Sequence, residues 1–161
     1  MRKAAAASRQ PTDDPRVVVE QVDEIVLAGV KVQIRARDLP LAQVQLDPQN
    51  PRVANTVSAS ALGTGEHLQR ELHKLLWADS DVHDLYRSIL TNKGLIERII
   101  VRHNGVVAEG NCRTVVYRKL HENFKTDDAW SRIPARVLPE DITDRQVAIL
   151  LGELHVGGKN A

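Results

Sequence analysis

Apolar residues in this chain keep two rhythms, and the switch between them divides it into segments. VVVEQV (17–22) and KVQIRAR (31–37) are β-branched runs that predict short strands, with Gly29 at the turn between them. LAQVQL (41–46) alternates, placing Leu41, Val44 and Leu46 on one apolar side. It stops at DPQNPRV (47–53), where two prolines and Asn50 impose an extended or turning path. ANTVSASALGTG (54–65) is small and polar and reads as a mobile loop. Beyond it the spacing becomes helical: Leu68, Leu72, Leu75 and Leu76 follow i, i+4, i+7, i+8. A second helix, capped by Ser80 or Asp81, carries Val82, Leu85, Tyr86, Ile89 and Leu90 and stops at Gly94.

Strand spacing then returns. RIIVR (98–102) predicts a strand and VVAEG (106–110) its antiparallel partner, joined through His103, Asn104 and Gly105, where Asn-Gly supplies the positive φ angles. NCRTVVYRKLHEN (111–123) predicts a helix and IPARVL (133–138) a strand. Thr143 caps a last helix, with Gln146 completing a capping box and Val147, Leu150, Leu151 and Leu154 as its buried side. No internal repeat interrupts this order. The sum is an α+β domain, a small mixed sheet with helices packed against it.

Composition adjusts the picture in three places. Aromatics are 3% of the 161 residues, so the core must be built from Val, Leu, Ile and Ala. The single cysteine excludes an internal disulfide framework and a Cys-based zinc site, and fits a reducing, cytoplasmic compartment. No run of 18 apolar residues exists, so no membrane span is expected. Residues 1–16 read as a flexible basic arm, leaving 17–161 as one domain. The close on HVGGKNA is an abrupt place for a domain to stop and leaves truncation open. The formal net charge of +1 conceals an uneven distribution: residues 98–136 hold eight basic against four acidic residues. Such a surplus suits phosphate partners, although scattered solvated charges produce it too.

That basic segment contains AEGNCRT (108–114). A strand ending in Glu-Gly that turns straight into a helix points the first helical amides, and the positive end of the dipole, at whatever lies beyond. Gly110 permits close backbone approach, the amides of Asn111, Cys112, Arg113 and Thr114 suit an anion, and Arg113 adds a charged fork for phosphate oxygens. Glu109 at the rim suits a magnesium ion or general-base work. The plainer alternative is a turn glycine and an arginine paired with a nearby acid. Cys112, Val116 and Leu120 share the apolar stripe, which predicts that Cys112 faces the core. Arg113 and Tyr117 then fall on the flank open to a ligand. His67, His73 and His83 lie in helices without an i, i+4 histidine partner, so the zinc-protease pattern is missing. Trp77 and Trp130 read as core or edge packing.

Residues 85–118, LYRSILTNKGLIERIIVRHNGVVAEGNCRTVVYR, resemble the core of the ParB/sulfiredoxin superfamily: a helix, a Gly-Leu turn, a strand, a short hairpin and a Gly-x-x-Arg loop opening a helix. LDPQNPRV resembles the Asn-Pro-x-Arg segment that precedes this core in ParB-like proteins, and the likeness spans roughly residues 41 to 156. It implies a ParB/sulfiredoxin-like fold that binds a nucleoside triphosphate, ATP or CTP, with Mg²⁺. Gly110, Asn111, Cys112, Arg113 and Thr114 would cradle the phosphates, with Glu109 as the acid ahead of the loop and Arg52 added from the second motif.

Two departures matter. Sulfiredoxins place their catalytic cysteine directly after the glycine; here Asn111 stands there and Cys112 comes one residue late, rotated by about 100°. Partition-type members carry Glu-Asn-x-x-Arg where this chain has Gly152-Glu153-Leu154-His155-Val156. Glu153 is then the stand-in metal ligand and Lys159 the replacement positive charge. The resemblance implies an NTPase or nuclease acting near DNA. A free-serine-type small-molecule kinase and a non-enzymatic DNA- or protein-binding regulator are the alternatives, with a homodimer left open.

Overall fold

The computed structural model describes residues 21–54 and 62–154, with the side chains of Arg52 and Ala54 excepted. The expected arm, Val17–Glu20 of the first predicted strand, most of the 54–65 loop and Lys159 lie outside the described residues. Five strands form one mixed sheet in the order β1-β2-β5-β3-β4: β1 Gln21–Leu27, β2 Val30–Pro40, β3 Ile99–Val101, β4 Val107–Glu109 and β5 Arg132–Val137. Only β3 and β5 run parallel; every other pairing is antiparallel. Four helices of ten or more residues are described: α1 Gly65–Trp77, α2 Ser80–Asn92, α3 Asn111–Asn123 and α4 Asp144–Glu153. The α+β reading therefore holds at the level of architecture.

Alternation sorts the sheet into two faces. Ile99 and Val101 of β3, with Ile133 and Ala135 of β5, enter a large core beneath α1, α2 and α3. Ile100, one residue out of phase, joins Leu27, Val32, Ile34, Leu138 and Val147 in a smaller core against α4. Helix α3 lies in the middle of the larger layer, and Thr114, Val115, Val116, Tyr117 and Leu120 are all buried along it. The apolar stripe therefore widens to an arc, because α1, α2 and the 3₁₀ turn Asp128–Trp130 press on α3 from several sides. The capping box stands as expected, with Thr143 Oγ1 accepting from Gln146 N at 3.1 Å and Gln146 Oε1 accepting from Thr143 N at 2.9 Å. Trp130 is buried edge-on to Tyr117, and half-buried Trp77 stacks on His83, so both tryptophans are packing residues.

Locally the structure corrects the cap of α2 and refines the path of residues 41–54. Helix α2 is capped by Asp79, whose carboxylate accepts from Asp81 N, so the cap precedes both proposed residues. LAQVQL keeps the expected apolar side, with Val44 and Leu46 buried and Leu41 packed against the core, on an irregular backbone. Leu41–Gln43 make a 3₁₀ turn and only Gln45 pairs, in a parallel bridge to Val106, with Gln45 N donating to Gly105 O and Val107 N to Gln45 O. Pro51–Ala54 close into one helical turn that buries Val53 in the core. Proline at the start of a helical turn sacrifices no bond, since that N–H has no intrahelical acceptor.

The segment leading into DPQNP is held by a side chain that imitates a strand. Gln69 of α1 donates from Nε2 to Leu46 O at 3.0 Å and accepts from Leu46 N at 2.8 Å through Oε1. Leu46 is among the most buried residues, so losing this carboxamide strands its amide away from water. Gln69→Ala should therefore lower the free energy of unfolding by about 1–3 kcal/mol in urea titration, against a few tenths for an exposed α1 site such as Arg70→Ala.

Candidate functional site

The corner between β4 and α3 is sterically tight. Gly110 is the N-cap of α3 with φ of 110°, and a Cβ there would lie 2.4 Å from Ile99 Cγ2 and 2.8 Å from its Cβ. Glycine serves here both for its left-handed backbone and because β3 leaves no room for a methyl group. The Gly110 carbonyl accepts from Thr114 N and from Thr114 Oγ1, each at 2.9 Å. Buried Thr114 thus turns its side chain back onto the helix and away from any ligand. Ahead of that first bond stand the amides of Asn111, Cys112 and Arg113, the part of the expected cradle that the helix itself does not consume.

Asn111, expected to hold phosphates, is 4% exposed and its carboxamide is occupied. Oδ1 accepts from Asp47 N at 2.9 Å and Nδ2 donates to Val107 O at 3.3 Å. Its side chain is therefore a clamp, while its amide stays at the corner. The clamp draws DPQNP against the corner, and Asp47 Oδ1 in turn accepts from Gln49 N at 2.9 Å to shape the turn. Between the two segments opens a cleft of about 380 Å³, lined by Asp47, Asn50 and Pro51 on one side and Glu109, Gly110, Asn111, Cys112 and Arg113 on the other. That volume lies within the roughly 300–1,000 Å³ usual for small-molecule sites.

Arg113 lines the cleft but is also tied back, its Nη1 donating to Glu97 O at 2.7 Å and Arg98 O at 3.4 Å. Burial lowers its pKa from the ordinary arginine value, with Glu109 and then Glu97 opposing, so it stays a cation. Both of these bonds are made by Nη1, and the guanidinium also feels the Glu109 carboxylate across the cleft lining. The remaining sequence expectations divide. Cys112 packs against the core yet lines the cleft and is only half-buried, so it is not withdrawn as its stripe implied. Tyr117 is 2% exposed beneath Trp130, which corrects its placement on the ligand-facing flank. The backbone of Arg52 follows Pro51 at the cleft; its side chain lies outside the description. Glu153 is exposed on α4, the helix of the smaller core, and does not line this cleft, so it and Glu109 are not brought together.

Two carboxylates, Asp47 and Glu109, stand against one guanidinium in the lining. Asp47 was not singled out as a ligand from the sequence; its place in a proline-bracketed turn next to an arginine-bearing motif was the available signal. Among the described residues no group of three or more His, Cys, Asp or Glu could hold a metal by itself. The arrangement sets the first α3 amides and the Arg113 guanidinium, groups suited to an anion, in the same lining as two carboxylates. Compared with protein-family models, curated proteins and solved structures, the chain matches none.

Gly110→Ala should cost well over 2 kcal/mol in denaturant unfolding, from left-handed strain and the displaced Ile99 together. Gly29→Ala, at φ of 78° with nothing within 4 Å of the added Cβ, should cost only about 1–2 kcal/mol.

Proposed function

We propose that this chain is a ParB-like nucleoside-triphosphate-binding domain with Mg²⁺-dependent NTPase activity, working in DNA-related processes such as plasmid, phage or DNA-transfer biology. The observation that carries the reading is the single cleft shared by DPQNP and EGNCR, the two segments on which the resemblance rests. The triphosphate would lie against the amides of residues 111–113 and the Arg113 guanidinium, with the Arg52 motif along one wall. Asp47 and Glu109 fit Mg²⁺, which commonly takes one or two carboxylates and fills its octahedron with substrate phosphates and water. Bound there, the ion would neutralise the phosphate oxygens and draw charge from the bond to be broken.

Among the described side chains of the lining, charge favours a cation beside the phosphates. With two acids and one arginine in the lining, a bare polyphosphate meets net negative charge. Glu109, at the rim, is placed to orient or deprotonate an attacking water. A nuclease would apply the same groups to a phosphodiester. A second reading, a regulator that keeps the fold without turnover, draws support from Arg113, whose tether to the Glu97 and Arg98 carbonyls restrains it from following a reacting phosphate.

In a thermal-shift series with ATP and CTP, one nucleotide should raise the melting temperature in the presence of Mg²⁺ and lose most of that effect in EDTA. Arg113→Ala should weaken binding at least about tenfold by calorimetry while the far-UV spectrum is kept. Unchanged affinity in that variant sinks the proposal. Phosphate release above background separates the enzyme from the regulator, and Glu109→Gln should abolish that release.

A further inference from the structure

A second concavity lies away from this corner, between α1 and α3. It encloses about 540 Å³, and a neighbouring hollow of about 470 Å³ shares Glu66, Gln69 and Arg118 with it. Arg118 lines both. One of its nitrogens, Nη2, donates to Val44 O at 2.8 Å, and no carboxylate pairs with it among the described residues. Burial alone lowers its pKa from the ordinary arginine value, with no compensating acid. A desolvated guanidinium without a counter-charge is costly, and an arriving anion relieves that cost.

The surrounding groups agree. Glu66 is almost fully exposed and reaches only Arg70, at 4.0 Å, while Glu122 is turned to Lys119 at 3.3 Å. Both acids are engaged at the rim and leave the floor to Arg118. His73 faces the same groove from α1, with Arg70 and Lys74 beside it and Arg118, Lys119 and Glu122 opposite on α3. Burial, then Arg118 and Lys119, hold its pKa below 6.5, against a smaller opposing effect of Glu122. His73 is thus a neutral imidazole near pH 7, able to donate to an anionic oxygen. In the neighbouring hollow His121 Nδ1 is buried without a hydrogen-bond partner.

We propose that the groove between α1 and α3 is a second, independent binding site for a small molecule bearing a carboxylate or phosphate group, held by Arg118 at the floor and His73 on the wall. The anionic head replaces the missing counter-charge of Arg118, and Arg70 and Lys74 guide it in from the rim. An anion beside Arg118 cancels part of the field that depresses His73. Binding therefore raises the His73 pKa, takes up a proton between the depressed pKa and the bound one, and tightens as pH falls through that interval.

The test is the NMR pH titration of His73 in the full chain, assigned through His73→Gln, in chloride, inorganic phosphate and succinate at equal ionic strength. Phosphate, succinate or both should raise the His73 pKa above its value in chloride. A response to phosphate alone identifies a phosphate-bearing ligand and a response to succinate alone a carboxylate. Arg118→Gln should weaken the response at least about tenfold in apparent affinity, whereas Arg113→Ala, which alters the other cleft, should leave it intact. Identical His73 titrations in all three salts overturn the proposal, as does a full response in folded Arg118→Gln. Should that variant fail to fold, the wild-type comparison across the salts decides.

Discussion

The carboxamide of Asn111 organises this molecule. Its oxygen takes the amide of Asp47, 64 residues earlier, and its nitrogen reaches the Val107 carbonyl on β4. A buried primary amide can satisfy a donor and an acceptor at once, and here each lies on a separate piece of chain. Removing it would leave the Asp47 amide and the Val107 carbonyl without their described partner, at roughly 1–3 kcal/mol for each group kept from water. Because α3 begins at that residue, the same bonds that hold DPQNP in place also set it facing the helix amides.

Around this clamp the molecule repeats one device: a polar side chain completes the hydrogen bonding of an irregular segment. Gln69 closes on both backbone groups of Leu46, Arg118 caps the Val44 carbonyl, and Arg113 holds the carbonyls of Glu97 and Arg98. Residues 44–47 lie outside the named strands, yet Val44 and Leu46 are almost fully buried, so their peptide groups need partners that the sheet supplies only at Gln45. The side chains that do this work also line the concavities. A clamp that uses part of an arginine leaves its remaining donors facing the adjacent space, and both candidate sites arise in this way.

Charge separates the two. Among the described residues, the corner cleft has two carboxylates against one guanidinium. The groove between α1 and α3 has its acids engaged at the rim and a cation at its floor, so a simple anion needs nothing further. This contrast follows from placement more than from composition, since the acids of α1 and α3 point along their own helices toward neighbouring lysines and arginines.

The type and order of the longer helices and of most strands were legible in the sequence alone. Helix α3, the capping box at Thr143 and the strand at 133–138 follow from local periodicity and capping, which depend on residues a few positions apart, whereas at the β3–β4 turn only Gly105, with φ of 93°, and not Asn104, takes the expected positive φ. The pairing of Glu109, Gly110 and Arg113 at one corner was legible for the same reason. Tertiary structure decided what each side chain faces. The stripe of α3 widened because three neighbours press on it, which buried Tyr117 and left Cys112 at the cleft wall. Asn111 became a clamp, Glu153 went to the helix on the opposite side of the sheet, and Asp47, Gln69 and Arg118 acquired their roles from partners 23 to 74 residues away. A hydrogen bond across such a separation leaves no period in the sequence, because its geometry exists only once the sheet has brought the two segments together.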